Sequence, residues 1–122
     1  MKNRNNITTG QIGEEAASKF LTTLGYRIIE RNYRKNYGEI DIIAIDGHVL
    51  VFIEVKTRKG NTYGLPEEAI TPWKINHLIK SVKYYQLTHD KLGHDIRIDV
   101  VSISLTEDGK AEKIKLFKNI TM

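Results

Sequence analysis

Between Gly38 and Lys56 the chain reads GEIDIIAIDGHVLVFIEVK and carries acids where buried strands normally carry none. Besides Asp46 beside the glycine of the expected turn, Glu39, Asp41 and Glu54 are the acids, and Lys56 is the one lysine or arginine among them. Carboxylates held within roughly 5–8 Å of one another on adjacent strands repel and raise each other's pKa unless a cation sits between them. A hard divalent ion meets that need. Mg²⁺ takes oxygen ligands at about 2.1 Å, usually one or two of them carboxylates, and leaves its other positions to water and to substrate phosphate. Asp41 and Glu54 are therefore candidate ligands, with Lys56 adding positive charge beside any bound phosphate. The plainer alternative is a structural or solvated Glu/Lys pair on a surface strand. The otherwise wholly apolar run from Leu50 to Val55, expected of a strand covered on both faces, favours the metal site.

The element that must position these groups is a β-hairpin. Two apolar, β-branched runs flank Asp46-Gly47, a dipeptide suited to a two-residue type I′ turn. With Ile45 opposite His48, Asp41 faces Phe52, and period-two alternation keeps Glu39, Asp41, Glu54 and Lys56 on one face. A type II′ loop at Gly47-His48 would instead set Asp41 directly opposite Glu54. The acids cluster in either register.

The remainder of the chain bounds the class of protein. A length of 122 residues is expected to form one domain, residues 1–122, with 1–7 loose. No run approaches the ~18 apolar residues of a membrane span, and the polar start leads into no signal-like apolar region, so a cytoplasmic protein is expected. The absence of cysteine excludes disulfides, thiolate zinc sites and cysteine nucleophiles. A formal net charge of +4 and a pI near 9.3 suit a polyanionic partner. There is no Ser-His-Asp pattern, P-loop or GxGxxG run, and His48, His77, His89 and His94 have no ligand spacing.

In chain order, Thr8 and Gln11 have capping-box spacing for a helix that Gly25 should stop after Leu24. Ile12, Ala16, Ala17, Phe20, Leu21 and Leu24 form its apolar arc, Gly10 and Gly13 within that arc permit close packing, and Glu14 falls at its margin while Glu15 points to solvent. Glu14 is either a first-turn carboxylate complementing the helix dipole or a further acid aimed at the hairpin cluster. Tyr26 to Asn32 reads as a strand, and Tyr33-Arg34-Lys35-Asn36-Tyr37 as a loop that either grips phosphates and stacks on bases or is simply exposed. Thr57 to Gly64 reads as a basic, glycine-broken flap. A short turn follows at Pro66 to Ile70, then a helix capped by Thr71-Pro72 that ends near Leu87 or His89, with Ile75, Leu78, Ile79, Val82 and Tyr85 on its apolar face. Lys74 on its margin either is solvated or reaches substrate phosphate. Asp95 to Leu105 and Lys113 to Lys118 complete the strands, the second with the composition of a charged edge.

Asp41 on one strand followed by Glu54-Val55-Lys56 on the next resembles the PD-(D/E)xK nuclease superfamily, although Ile40 replaces the proline of its name. Taken with Gly10-x-x-Gly13-Glu14-x-x-Ala17, Asn32-x-Arg34, Gly38-Glu39-Ile40-Asp41, Phe52-Ile53-Glu54-Val55-Lys56-x-Arg58, Lys74 and Arg97-Ile98-Asp99-Val100-Val101, the chain resembles the YraN family of small bacterial proteins from about Gly10 to Phe117. That resemblance implies an α/β, restriction-endonuclease-like fold, a central mixed sheet of about five strands flanked by helices, similar to archaeal Holliday-junction resolvases. It implies Glu14, Asp41, Glu54 and Lys56 as the site.

The reading that follows is a Mg²⁺- or Mn²⁺-dependent endonuclease acting on DNA in preference to RNA, and on branched or structured DNA in particular. Asp41 and Glu54, with the Val55 carbonyl, would hold the ion that polarises the phosphate and acidifies its water; Lys56 would orient that water or offset transition-state charge, and Glu14 would recruit a second ion or water. Arg34, Lys35, Arg58, Lys59 and Lys74 would bind the nucleic acid. A homodimer is expected, since cutting both strands of a symmetric substrate needs two sites. The rival is a nucleic-acid- or protein-binding module that keeps a nuclease scaffold without hydrolysis. Carboxylates facing phosphates give such a binder no advantage.

Overall fold

The computed structural model describes residues 8–36, 38–60, 65–89 and 95–121. Helix α1 spans Thr9–Thr23 and α2 spans Pro72–Thr88; the strands are β1 (Arg27–Lys35), β2 (Gly38–Asp46), β3 (Val49–Lys59), β4 (Asp95–Leu105) and β5 (Ala111–Phe117). They form one sheet in the order β1-β2-β3-β4-β5, parallel between β3 and β4 and antiparallel elsewhere. The architecture is α/β with a five-stranded mixed open sheet and is consistent with a restriction-endonuclease-like fold.

Each helix covers one face. Ala17 and Leu21 of α1 pack on Ile42, Ala44, Val51, Ile53, Val101 and Ile103, whereas Leu78, Val82 and Tyr85 of α2 pack on Ile40, Ile43, Leu50, Phe52 and Ile98. The central strands β3 and β4, covered on both sides, accordingly bury apolar residues toward both faces: Leu50, Val51, Phe52 and Ile53 from β3, and Ile98, Val100, Val101 and Ile103 from β4. The helix ends follow the local chemistry: the Gln11 N–H donates to Thr8 Oγ1 at 3.0 Å, the Thr8 N–H donates to Gln11 Oε1 at 2.9 Å, and Gly25 leaves α1 with φ of 95°.

At Gly13, α1 packs so tightly on β3 that a Cβ would collide with the Thr57 side chain. Gly13→Ala is therefore expected to destabilise by about 1–3 kcal/mol, the usual cost of overpacking. Thermal melts of Gly13→Ala and of Gly13→Ala/Thr57→Ala would check this, the second change relieving most of the clash by removing Oγ1 and Cγ2 of Thr57; equal stability of parent and single variant would refute it.

Three expectations need correction. The hairpin takes the second register: Asp46 pairs with Val49 and Ile45 with Leu50, leaving Gly47-His48 as the loop. Only Gly47 of that pair has positive φ, at 64°, so Asp46 stays extended and its carboxylate accepts from Arg97 Nη2 at 2.9 Å. Next, β1 does not stop at Asn32. Tyr33 is buried, edge-on to Tyr85 with ring centroids 5.1 Å apart, and so cannot stack on bases; Tyr37 lies outside the described residues. Finally, β3 continues through Lys59, because β4 offers a ladder partner to each residue from Thr57 to Lys59, and residues 61–64 of the expected flap lie outside the described residues.

Candidate active site

The site forms where β2 and β3 part. Their ladder runs from Asp46–Val49 to Ile42–Ile53. Beyond it the Val55 N–H donates to Asp41 Oδ2 at 2.8 Å, and the Ile40 carbonyl accepts from Arg34 Nη1 at 3.4 Å. On the other side of β2, the β1 register sets Asn32 opposite Asp41, and Asn32 has a left-handed φ of 54°. Asparagine tolerates that conformation better than most residues. The irregularity changes which face the strand presents: Ile40 and Ile42, two residues apart, pack into opposite cores. Asp41 between them is freed from ordinary alternation and anchored by the Val55 amide.

Glu14, Asp41, Glu54, Val55, Lys56 and Arg58 line one cleft of about 360 Å³, closed on another side by Pro66 and Ala69. Glu14 lies in the second turn of α1, past the first-turn position a dipole role would need. Its side chain is 15 % exposed, whereas that of Glu15 is 55 % exposed and pairs with Arg31 at 3.1 Å. Glu54 is buried, and a single oxygen, Oε2, lies 3.3 Å from Lys74 Nζ and 3.4 Å from Lys56 Nζ. Arg34 Nη2 bridges two acids, 3.3 Å from Asp41 and 4.0 Å from Glu14. Arg58 Nε is buried without a hydrogen-bond partner. Lys35 and Lys59 are exposed and do not line the cleft, and Glu39, expected in the cluster, is also outside it, its N–H donating to Ser81 Oγ at 3.1 Å.

Burial, then the Asp41 charge, raises the pKa of Glu54 above the usual carboxylate range, with Lys74 and Lys56 opposing. Burial and Asp41 likewise raise Glu14, with Arg34 and Arg31 opposing. Among the described residues no group of three or more His, Cys, Asp or Glu side chains is arranged to hold an ion. Asp41 and Glu54 are the two cleft carboxylates that could hold one, and a pair of carboxylates would suit the habit of Mg²⁺ of keeping water in most of its shell.

These shifts set the sign of a pH dependence. In the window above the ordinary carboxylate pKa, the folded state holds protons on Glu14 and Glu54 that the unfolded state has released, so stability of the ion-free protein falls as pH rises through it. A divalent ion would oppose that fall. At ten times its Kd, Mn²⁺ should add about 1.4 kcal/mol at pH 7.5, or roughly 5 °C in Tm, and much less at pH 4.5. Melts unchanged by Mn²⁺ and Mg²⁺ at pH 7.5 would exclude an ion here.

Sequence reasoning missed two supports of the cleft. Glu67, in the 3-10 turn Pro66–Ala69, accepts from Ser102 Oγ at 2.7 Å and from Lys115 Nζ at 3.0 Å, tying the cleft wall to β4 and β5. The Ser102 bond, aided by Lys115, holds its pKa down at about 2 despite opposing burial. Nothing in the local sequence signals partners 35 and 48 residues away. The other is Asn32, whose motif with Arg34 was visible but whose backbone role was not.

The family model described as "Uncharacterised protein family UPF0102" matches residues 13–103. A UPF0102 protein of Syntrophus aciditrophicus is 45% identical over 111 residues, covering 90% of this chain and 87% of that one. One from Symbiobacterium thermophilum is 46% identical over 110 residues, covering 90% and 92%, and one from Dehalococcoides mccartyi is 43% identical over 115 residues, covering 94% and 93%. No described helix is long and apolar enough to cross a membrane.

Proposed function

Because this chain belongs to the UPF0102 (YraN) family, for which no reaction is specified, we propose from its own site that it is a divalent-metal-dependent endonuclease cleaving phosphodiester bonds in DNA. The observation that carries this reading is the convergence of Asp41, Glu54 and Lys56 at the parting of β2 and β3, with Asp41 fixed by the Val55 amide. Mg²⁺ or Mn²⁺, when bound by Asp41 and Glu54, supplies Lewis-acid charge at the scissile phosphate.

The chain's own groups do the rest. Lys56, drawn to Glu54, is held where its ammonium can orient the attacking water and offset charge developing on the phosphate. Arg58, which lines the cleft, adds a guanidinium cation suited to a phosphate. Glu14, its charge disfavoured by burial, orients a water or a second ion. Lys74 offsets the charge of Glu54 until substrate arrives and then lies within reach of the phosphate. Exposed Lys35 and Lys59 attract the polyanion over a longer range. Branched or structured DNA is the proposed substrate, the cytoplasm its location, and two-fold pairing of chains the means of cutting two strands.

The test is nicking of single-stranded, duplex, flap and four-way-junction DNA in Mg²⁺ and in Mn²⁺. Cleavage of at least one substrate, abolished by EDTA, is expected. No cleavage of any of them by folded protein, with no Mn²⁺ binding by calorimetry, would turn the reading to the non-catalytic binding module.

A further inference from the structure

Trp73 is the sole tryptophan of the chain, and it is 71 % exposed. Isolated apolar residues on a surface need no explanation, but an indole is the largest of them and is seldom left so bare. Its setting is specific. The ring stacks on His77 one helical turn later, with centroids 5.4 Å apart and planes 7° from parallel. One face of the indole is backed by His77, and its high exposure leaves the other available. Trp73 also immediately precedes Lys74, whose Nζ lies 3.3 Å from Glu54 in the cleft.

Successive helical residues turn by about 100°, so Trp73 and His77 occupy the flank beside Lys74, on the side of α2 where Ser81 meets Gly38 and the Glu39 amide. The hairpin end carrying exposed Lys35 borders the same flank, and exposed Lys80 lies farther along it. The surface thus combines an open aromatic face with Lys74 on its cleft side and with Lys80 and Lys35 farther along α2, next to the cleft proposed to hold a scissile phosphate. Aromatic faces with flanking cations grip unpaired nucleotides, the ring stacking on a base and the cations tracking the backbone. Continuous duplex cannot use such a platform, because its base faces are already stacked.

We propose that Trp73, backed by His77, is a stacking platform for an unpaired nucleobase close to the scissile phosphate, which makes DNA with a single-stranded segment at the cleavage point the favoured substrate class. The inference rests on the nuclease reading for its substrate but is tested without hydrolysis.

The sole tryptophan reports directly. The full chain, in buffer containing EDTA, is titrated with a 12-nucleotide single strand, a blunt duplex of the same sequence and a flap bearing that strand, and fluorescence is followed. The single strand and the flap should quench Trp73 markedly more than the duplex. By anisotropy of labelled DNA, Trp73→Ala should weaken binding of the single strand by about 5- to 100-fold, and Trp73→Tyr should recover most of it. Equal quenching by duplex, or unchanged single-strand affinity in Trp73→Ala, would overturn the proposal. So would a blue shift that grows with protein concentration without DNA and a dimer lost in Trp73→Ala, which would make Trp73 a contact between copies. Failure of nicking with stacking intact would instead count against hydrolysis alone.

Discussion

Asp41→Asn is expected to lower Mn²⁺-dependent nicking by about 10³-fold or more, while binding DNA at least as tightly as the parent in metal-free buffer. The two effects separate because Asp41 acts on charge that develops only during cleavage, whereas in the resting protein it is one more negative charge facing phosphate. Its loss also releases Arg34, now 3.3 Å from its Oδ1. Asn keeps a carbonyl oxygen able to accept from the Val55 N–H, so the strand junction survives. Lys56→Ala should lose activity to a similar extent, and Asp41→Asn/Lys56→Ala little more than either, since the groups act as a unit. Binding should weaken steeply with salt in all of these proteins. The paired assay is a gel shift in EDTA and nicking in Mn²⁺. Undiminished nicking by purified Asp41→Asn would remove the hairpin from the active site.

Asp99→Asn should cost stability instead, by about 3–5 kcal/mol, the usual effect of breaking a buried ion pair from one side. Asp99 is 0 % exposed and accepts four hydrogen bonds: from Arg97 Nε at 2.8 Å, Arg97 Nη2 at 2.9 Å, Tyr26 Oη at 2.9 Å and the Asn119 N–H at 2.9 Å. Arg97 continues the network to Asp46 at the hairpin turn. The amide would leave the guanidinium short of charge and turn an N–H₂ toward one of those donors. For a chain of this size the loss corresponds to a fall in Tm of roughly 10 °C or more. Asp99 pairs in register with Ile53, whereas the cleft residue Lys56 pairs with Ser102, so what remains folded should still cleave. Arg97→Met/Asp99→Leu, which removes both charges, should be more stable than Asp99→Asn. A melt of Asp99→Asn within 2 °C of the parent, roughly 0.5 kcal/mol, would mean that the network is not needed.

Local sequence was enough to set the element types, both N-terminal helix caps, the two apolar helix faces and the acidic character of the hairpin. These depend on near-neighbour chemistry: Thr8 and Gln11 satisfy each other's amides three residues apart, and the buried arc of α1 separates Glu14 from Glu15 by rotation alone. It left the hairpin with two registers. The tertiary structure decided between them, because Asp46 is held extended by Arg97, 51 residues away. It also decided the geometry of the cleft. Asn32 interrupts strand alternation opposite Asp41, Arg34 turns inward to two acids, and Glu67 anchors the far wall through β4 and β5. Periodicity assumes an unbroken strand, so it put Glu39 in the cluster, and the basic, aromatic composition of Tyr33 to Tyr37 read as a loop and ended β1 too early. The positions of these side chains come from contacts between elements distant in sequence, whose free energies outweigh local preference and leave no local trace.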